Sequence, residues 1–249
     1  MEAFINLIII PLVMINELLW VLLLIVTFLL QILAYRLWGK TGLYCWIAMS
    51  VIIANIQVMK TIGIFGLVTA MGNIIYSSTF LATDIISENH GKKEAKKAVW
   101  IGFFILISTT IVMQLTLHFI PHESDTLSPA LNQIFGLLPR IAIASLIAYL
   151  ISQHHDVWAF EFWKKVFKGK HLWIRNNFST MTSQLLDNVI FTWIAFVGFF
   201  GLFGWTQVFT WDIIIQIFLV SYAMKWLVAV VDTPFVYLSK VIKKKYLKG

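Results

Sequence analysis

Apolar residues fall in seven long runs separated by short polar stretches. The runs lie within Phe4–Ala34, Leu43–Ile62, Leu67–Ser87, Ala98–Phe119, Pro129–Ser152, Phe178–Phe203 and Trp211–Val241. A membrane-spanning helix needs about 20 mostly apolar residues. The pattern therefore predicts an all-α polytopic membrane helix bundle with seven transmembrane helices. The first run is the longest, and as a continuous helix it would measure about 46 Å against a hydrocarbon core of about 30 Å. Pro11 and the pair Asn16-Glu17 interrupt it. Asn16 is suited to cap a span that starts there, with Glu17 in its first turn and residues 3–15 at the interface. The preferred reading is one long, bent helix.

Composition agrees with the pattern. The 249 residues are 59% hydrophobic and 12% charged, with a mean hydropathy of +0.83. Soluble domains carry about 25% charged residues. A soluble enzyme, a disordered chain and a disulfide scaffold are excluded. At about 30–35 residues per span the length leaves no room for a soluble domain as well. The first apolar run lacks a basic lead and is too long for a signal-peptide core, so it reads as structure. The single Cys45 offers neither a disulfide framework nor a multi-cysteine metal site.

Charge supplies an orientation. Sixteen of the 19 basic residues lie in four segments: Arg36 and Lys40, Lys92–Lys97, Lys164–Arg175, and Lys240–Lys248. All four fall on one side of a seven-span chain, and the loop His118–Ser128 on the other side carries Glu123 and Asp125. The basic side is expected to be cytoplasmic, with the N-terminus outside and the C-terminus inside. Bases placed between apolar runs imply contact with anionic membrane lipid and no nucleic-acid partner. Trp158–Phe167, rich in aromatic residues, reads as a short interfacial helix on the inner leaflet.

The other three bases, Lys60, Arg140 and Lys225, fall inside spans, where an ionisable group faces the bundle interior or a water-filled cavity. Span two adds Asn55 and Gln57, span three Asn73 and Asp84, span five Tyr149 and Gln153 followed by Asp156. Span six adds Gln184, Asp187 and Asn188, and span seven Asp212, Gln216 and Asp232. Gln184, Asp187, Asn188 and Phe191 share one helical face. Asn73, Gln114 and Gln216 read as interhelical hydrogen bonds. Asp84 is also suited to capping the inner end of span three. Lys225 needs a carboxylate or a cavity, and Asp187 and Asp232 are both candidate partners. His154 and His155 have no companions at ligand spacing, so no metal site is expected. There is no nucleophile elbow, no zinc-protease motif and no phosphate-binding loop, hence no expected catalytic residue, no cofactor and no enzyme.

Phe80-Leu-Ala-Thr-Asp84 followed by Gly91-Lys-Lys-Glu-Ala-Lys-Lys-Ala98 resembles the queuosine precursor transporter family, also called the vitamin uptake transporter family. So do Arg140–Ser145 leading through Ala148-Tyr149 to Gln153 and Asp156-Val157, and Ser179-Thr180 leading through Asp187 to Phe191 and Ile194–Phe196. Span seven matches more loosely through Tyr222, Lys225 and Pro234. The resemblance covers roughly residues 43–240. It implies a single transmembrane domain over 1–249: an extra N-terminal helix in 4–42, a six-helix transporter core in 43–241, and a basic cytoplasmic tail in 242–249. Some members have six spans, so the first helix departs from the pattern. Hydropathy alone leaves a 3+3 inverted repeat open.

The resemblance implies import of a 7-deazaguanine (preQ0, preQ1 or queuine) across a bacterial plasma membrane, serving tRNA modification. Such a base offers an N1–H and a 2-amino group on one edge and a carbonyl on the other. A carboxylate accepts both donors, an amide serves the carbonyl, and an aromatic ring stacks on the base. Asp187 or Asp156 with Gln184 and Gln153 could read the edge, and Phe191, Tyr149 or Tyr222 could stack. Arg140, Asn55, Lys225 and Asp84 complete the expected binding set. The alternative is a substrate-binding membrane subunit of a vitamin or nucleobase system energised by a separate ATPase. Oligomeric state stays open, a homodimer included.

Overall fold

The computed structural model describes residues 2–58, 60–64, 67–135, 139–198, 206–207 and 210–246. Seven α-helices dominate: α1 (Glu2–Gln57), α2 (Asn73–His90), α3 (Lys92–Leu117), α4 (Ser128–Phe135), α5 (Pro139–Val166), α6 (Leu172–Thr192) and α7 (Trp211–Tyr246). A single π-helical stretch, Trp193–Val197, extends α6. Among the described residues, three helical stretches are long and apolar enough to cross a membrane: Ile15–Gln57, Lys92–Leu117 and Trp211–Tyr246. The molecule is a membrane-type helix bundle.

α1 holds the first two apolar runs as two arms that meet at Gly39, whose φ of 59° and ψ of −141° break the helix. A left-handed φ is open to glycine without a Cβ clash, so the chain changes direction there without a loop. Trp20, Leu24, Phe28 and Ile32 of the first arm and Leu43, Ile47 and Val51 of the second are all buried in the core. Phe28 meets Phe235 of α7 edge-on, ring centroids 5.0 Å apart. The first arm thus packs on the bundle as one long helix, as expected.

The runs expected as spans two and three end and begin differently. Helix stops at Gln57, and Thr61–Ile64 (β1) pairs antiparallel with Leu67–Ala70 (β2). β-Branched and apolar residues there read as membrane helix, yet Gly63, Gly66 and Gly72 suit a hairpin better. Gly72, at φ 96°, then turns the chain into α2. With no room beside the Ala54 carbonyl for a Cβ (2.9 Å), the position is closed to other residues. The fold is all-α as expected, with this two-stranded hairpin as a local addition. α2 is buried on almost every side, from Ile74 to Asn89, the mark of a central helix. It touches α1, α3, α5 and α7.

The run Pro129–Ser152 holds α4 and the start of α5, with residues 136–138 outside the described residues. One expectation is corrected. Trp158–Phe167 forms no separate interfacial helix, because α5 continues unbroken to Val166 and buries Ala159 and Phe160. α6 begins at Leu172, earlier than Phe178. The expected end of that span at Phe203 lies outside the described residues, as does Lys248 in the tail.

Candidate functional site

One end of the bundle gathers the basic residues. Glu88, near the end of α2, accepts two hydrogen bonds from Arg175 of α6, at 2.6 and 2.8 Å. Lys164 of α5 and Lys240 of α7 stand 3.4 and 2.9 Å from the same carboxylate. Asn89 donates to Ser239 at 2.8 Å, and Lys243 donates to the Asn89 carbonyl. Lys40 and Tyr44 of α1 both donate to Glu94 at the start of α3. Arg175 is fully buried, so it is a structural cation and not the loop charge that the sequence suggests. A carboxylate with a bidentate guanidinium and two ammoniums ties four helices together.

The opposite half holds a pocket with a cavity volume of about 80 Å³, smaller than most small-molecule sites. Val58, Met71 and Gly72 from the hairpin's flanks line it, with Asn55, Asn73, Tyr76, Tyr149, Phe191, Asp187 and Lys225 further in. Lys225 Nζ donates to Asp187 Oδ2 at 2.7 Å. Tyr76 donates its hydroxyl to Oδ1 of the same carboxylate, and Ser152 donates to that oxygen at 3.1 Å. Asn188 Oδ1 lies 3.4 Å from Lys225, and its amide donates to the Phe218 carbonyl at 2.8 Å. The ammonium also stands 5.3 Å from the centre of the Tyr76 ring, a cation–π distance. The two candidate partners for Lys225 are thereby resolved in favour of Asp187. Asp232 takes a hydrogen bond from Asn176 at 2.8 Å instead.

Tyr149 sets one wall. Its ring meets Tyr76 edge-on at 6.4 Å, and its buried hydroxyl finds no hydrogen-bond partner. The ring packs across α3 at Gly102, where a Cβ would come within 2.0 Å of that hydroxyl. Phe191, opposite, packs edge-on against Phe196 at 5.9 Å.

Five expected site residues therefore share the pocket: Asn55, Tyr149, Asp187, Phe191 and Lys225. The others lie elsewhere. Gln153 bridges helices, donating to Thr79 at 2.8 Å and accepting from Thr83 at 3.2 Å. Arg140 donates to the carbonyls of Ile194 and Thr206, at 3.0 and 2.8 Å. Tyr222 stacks on Phe218 and reaches the Met181 carbonyl. Asp84, Asp156 and Gln184 are buried in the bundle without lining the pocket. Asp84 does not cap α2, which runs on to His90. Of the polar residues expected as helix–helix bonds, Gln114 donates to the Phe135 carbonyl at 2.6 Å, Asn73 lines the pocket, and Gln216 is exposed on α7. Among the described residues, no three His, Cys, Asp or Glu side chains converge to hold a metal.

Tyr76 and Ser152 were missing from the expected set. Ser152 follows Tyr149 by three positions on one face of α5, a signal the sequence carries. Tyr76 looks like any aromatic in an apolar run until Asp187, on a distant segment, is brought to its hydroxyl.

Comparison with known proteins identifies a family. Residues 70–239 match the family described as "Putative vitamin uptake transporter". A protein of Bacillus subtilis (strain 168) named "Probable queuosine precursor transporter" is 40% identical over 228 residues, which cover 91% of this chain and 96% of that one. No solved structure matches. The pocket residues from Met71 to Lys225 lie inside the matched stretch, those of α1 precede it, and the chain belongs to the vitamin uptake transporter family, a family of transporters and not of enzymes.

Proposed function

We propose that the protein is a carrier that imports a queuosine precursor, a 7-deazaguanine, across a bacterial plasma membrane. The relative's name supplies the substrate class, and the Asp187 carboxylate at the inner end of the pocket is the observation that carries the reading. Its two oxygens already hold three donors, from Lys225, Tyr76 and Ser152. The N1–H and 2-amino group of a deazaguanine would replace or join these donors, with Tyr149 or Phe191 against the ring face and Asn55 at the carbonyl edge. A buried site built on hydrogen bonds rejects bases that lack the matching groups.

The finer topology belongs to the same proposal. The two arms of α1 with α2, α3, α5, α6 and α7 make seven spans. The basic end faces the cytoplasm. The pocket beside the hairpin then belongs to the outer half, and the Glu88 cluster closes the inner half.

Purified protein in proteoliposomes tests this. Uptake is expected for at least one of preQ0, preQ1 and queuine, and not for biotin. Asp187→Asn is expected to weaken binding by about 10- to 150-fold, the equivalent of one charge-assisted hydrogen bond. Equal handling of biotin and the deazaguanines, or unchanged binding in a folded Asp187→Asn protein, would overturn the reading.

A further inference from the structure

Among the described residues, three buried carboxylates outside the pocket have no counter-ion. Asp84 of α2, Asp156 of α5 and Asp232 of α7 are each 1% exposed or less. None of the ion pairs among the described residues reaches them. Asp84 accepts one hydrogen bond, from Thr180 at 2.9 Å through Oδ2, while Oδ1 has no donor. Neither oxygen of Asp156 has a donor. The hydroxyls around Asp156 are already committed. Ser179 donates to the Asn176 carbonyl at 3.0 Å, Ser183 to the Ser179 carbonyl at 2.6 Å, and Thr83 to the Phe80 carbonyl at 2.9 Å.

Asp84 and Asp156 stand where α2 and α5 run side by side, between the Thr83–Gln153 contact at 3.2 Å and the Ser87–Glu161 contact at 3.0 Å. Two facing acceptors with no donor between them repel, and a buried pair of like charges does not ionise twice.

A second observation lies beside the cluster. Gln184 is fully buried, and neither its amide nitrogen nor its oxygen has a partner. It follows Thr180, which holds Asp84, by one turn, and precedes Asp187 by one turn on the same face of α6. A free donor and a free acceptor thus stand between the acid pair and the pocket. Asn176, whose nitrogen holds Asp232, leaves its own buried Oδ1 unused there as well.

We propose that Asp84 and Asp156 bind the proton whose inward movement drives substrate import. This rests on the carrier reading above. The charged and titratable groups on the packed helices are otherwise engaged. Arg175 of α6, Lys164 of α5 and Lys240 of α7 surround Glu88 of α2. Lys225 of α7 holds Asp187 of α6. His155 of α5 meets Ser183 at 2.9 Å, and Glu161 of α5 accepts from Ser87 at 3.0 Å. Asp232 is the third acid, and it makes a second ionised carboxylate in the pair less favourable. Among the described residues no cation pairs with Asp84 or Asp156, and the pair takes up a proton from the outer side and gives it up on the inner side.

The test uses wild-type protein in proteoliposomes with the membrane potential clamped, and labelled preQ0, preQ1 and queuine as probes. Exchange of label at equal concentrations reads the carrier itself and needs no driving force. Net accumulation against a pH gradient reads coupling. At one proton per substrate, one pH unit sustains up to about tenfold accumulation. The expected result is accumulation that follows the pH gradient, with acid outside, and substrate-driven alkalinisation of the outer medium. Asp84→Asn and Asp156→Asn are expected to keep exchange while accumulation falls to no gradient at all. If either variant does not fold, proton movement on substrate addition to the wild type decides alone. Exchange without accumulation, or accumulation that follows a sodium gradient and moves no protons, overturns the proposal while the carrier reading stands. Absence of exchange for all three probes overturns the carrier reading itself.

Discussion

Asp187 and Asp84 are both buried acids on helices of the same bundle. One has an ammonium at 2.7 Å and two hydroxyl donors. The other has a threonine hydroxyl at 2.9 Å and a second carboxyl for a neighbour. Burial forces both to be neutralised, and they meet that demand differently. Asp187 is balanced by a residue of the chain, so its partner is fixed in place. Asp84 and Asp156 are balanced by something exchangeable. The pocket therefore offers fixed polarity for recognition, and the acid cluster offers variable charge for driving movement.

The largest effect should come from unbalancing the fixed pair. Asp187→Leu strands the Lys225 ammonium, and breaking a buried pair costs about 3–5 kcal/mol. The melting temperature of the purified protein should fall steeply. Asp187→Leu with Lys225→Met should recover much of the loss, because no charge is left unpaired. A double variant as unstable as the sum of the singles would mean that the two residues are not balancing each other.

Glu88→Gln comes next. It removes the carboxylate that holds Arg175, and hydrogen bonds between charged groups contribute about 1.5–3 kcal/mol. Lys240 is half exposed, so its share is small. The basic end should loosen, and cysteines placed there at Ser239 should become more reactive. Unchanged reactivity would deny that this cluster closes that end.

Gly102→Ala probes the pocket wall at somewhat lower cost. The new Cβ meets the Tyr149 hydroxyl and also Ile47, and overpacking costs about 1–3 kcal/mol. Tyr149→Phe should relieve part of that loss in thermal melts, since the deleted oxygen has no partner to lose. No relief would place the clash on Ile47 instead.

The smallest effect is the sharpest contrast. Asp84→Asn should leave stability within about 1 kcal/mol of wild type, because it replaces a carboxyl that already carries or shares a proton. A melting loss as large as that of Asp187→Leu would show that Asp84 is held as a permanent charge and erase the distinction between the two groups.

Hydropathy and lysine placement were enough to read the helices and the basic end. The hairpin was not legible, because Ile62, Ile64, Leu67 and Val68 extend two apolar runs without a polar gap. Only the glycines among them marked a turn. α5 and α6 run past their apolar stretches because Phe160, Leu172 and Arg175 pack there, and that packing is a tertiary fact. In the pocket, Asp187 and Phe191 were legible from spacing along one helix face, and Lys225 from its depth in an apolar run. Gln153 and Tyr222 looked equally suitable, but their helices turn them toward Thr79 and Phe218. Spacing assigns a face within one helix. Which neighbour that face meets depends on packing.

The Glu88 cluster also has a consequence in time. Glu88 is synthesised long before Lys164, Arg175 and Lys240, which are its partners. While the ribosome is still making α5 to α7, this acid stands at the end of α2 with only the lysines that follow it for company. The first half of the bundle then awaits the second, and a chain cut short before α7 lacks the residue that brings the last helix to the others. The end closes only when the last of these partners has been made.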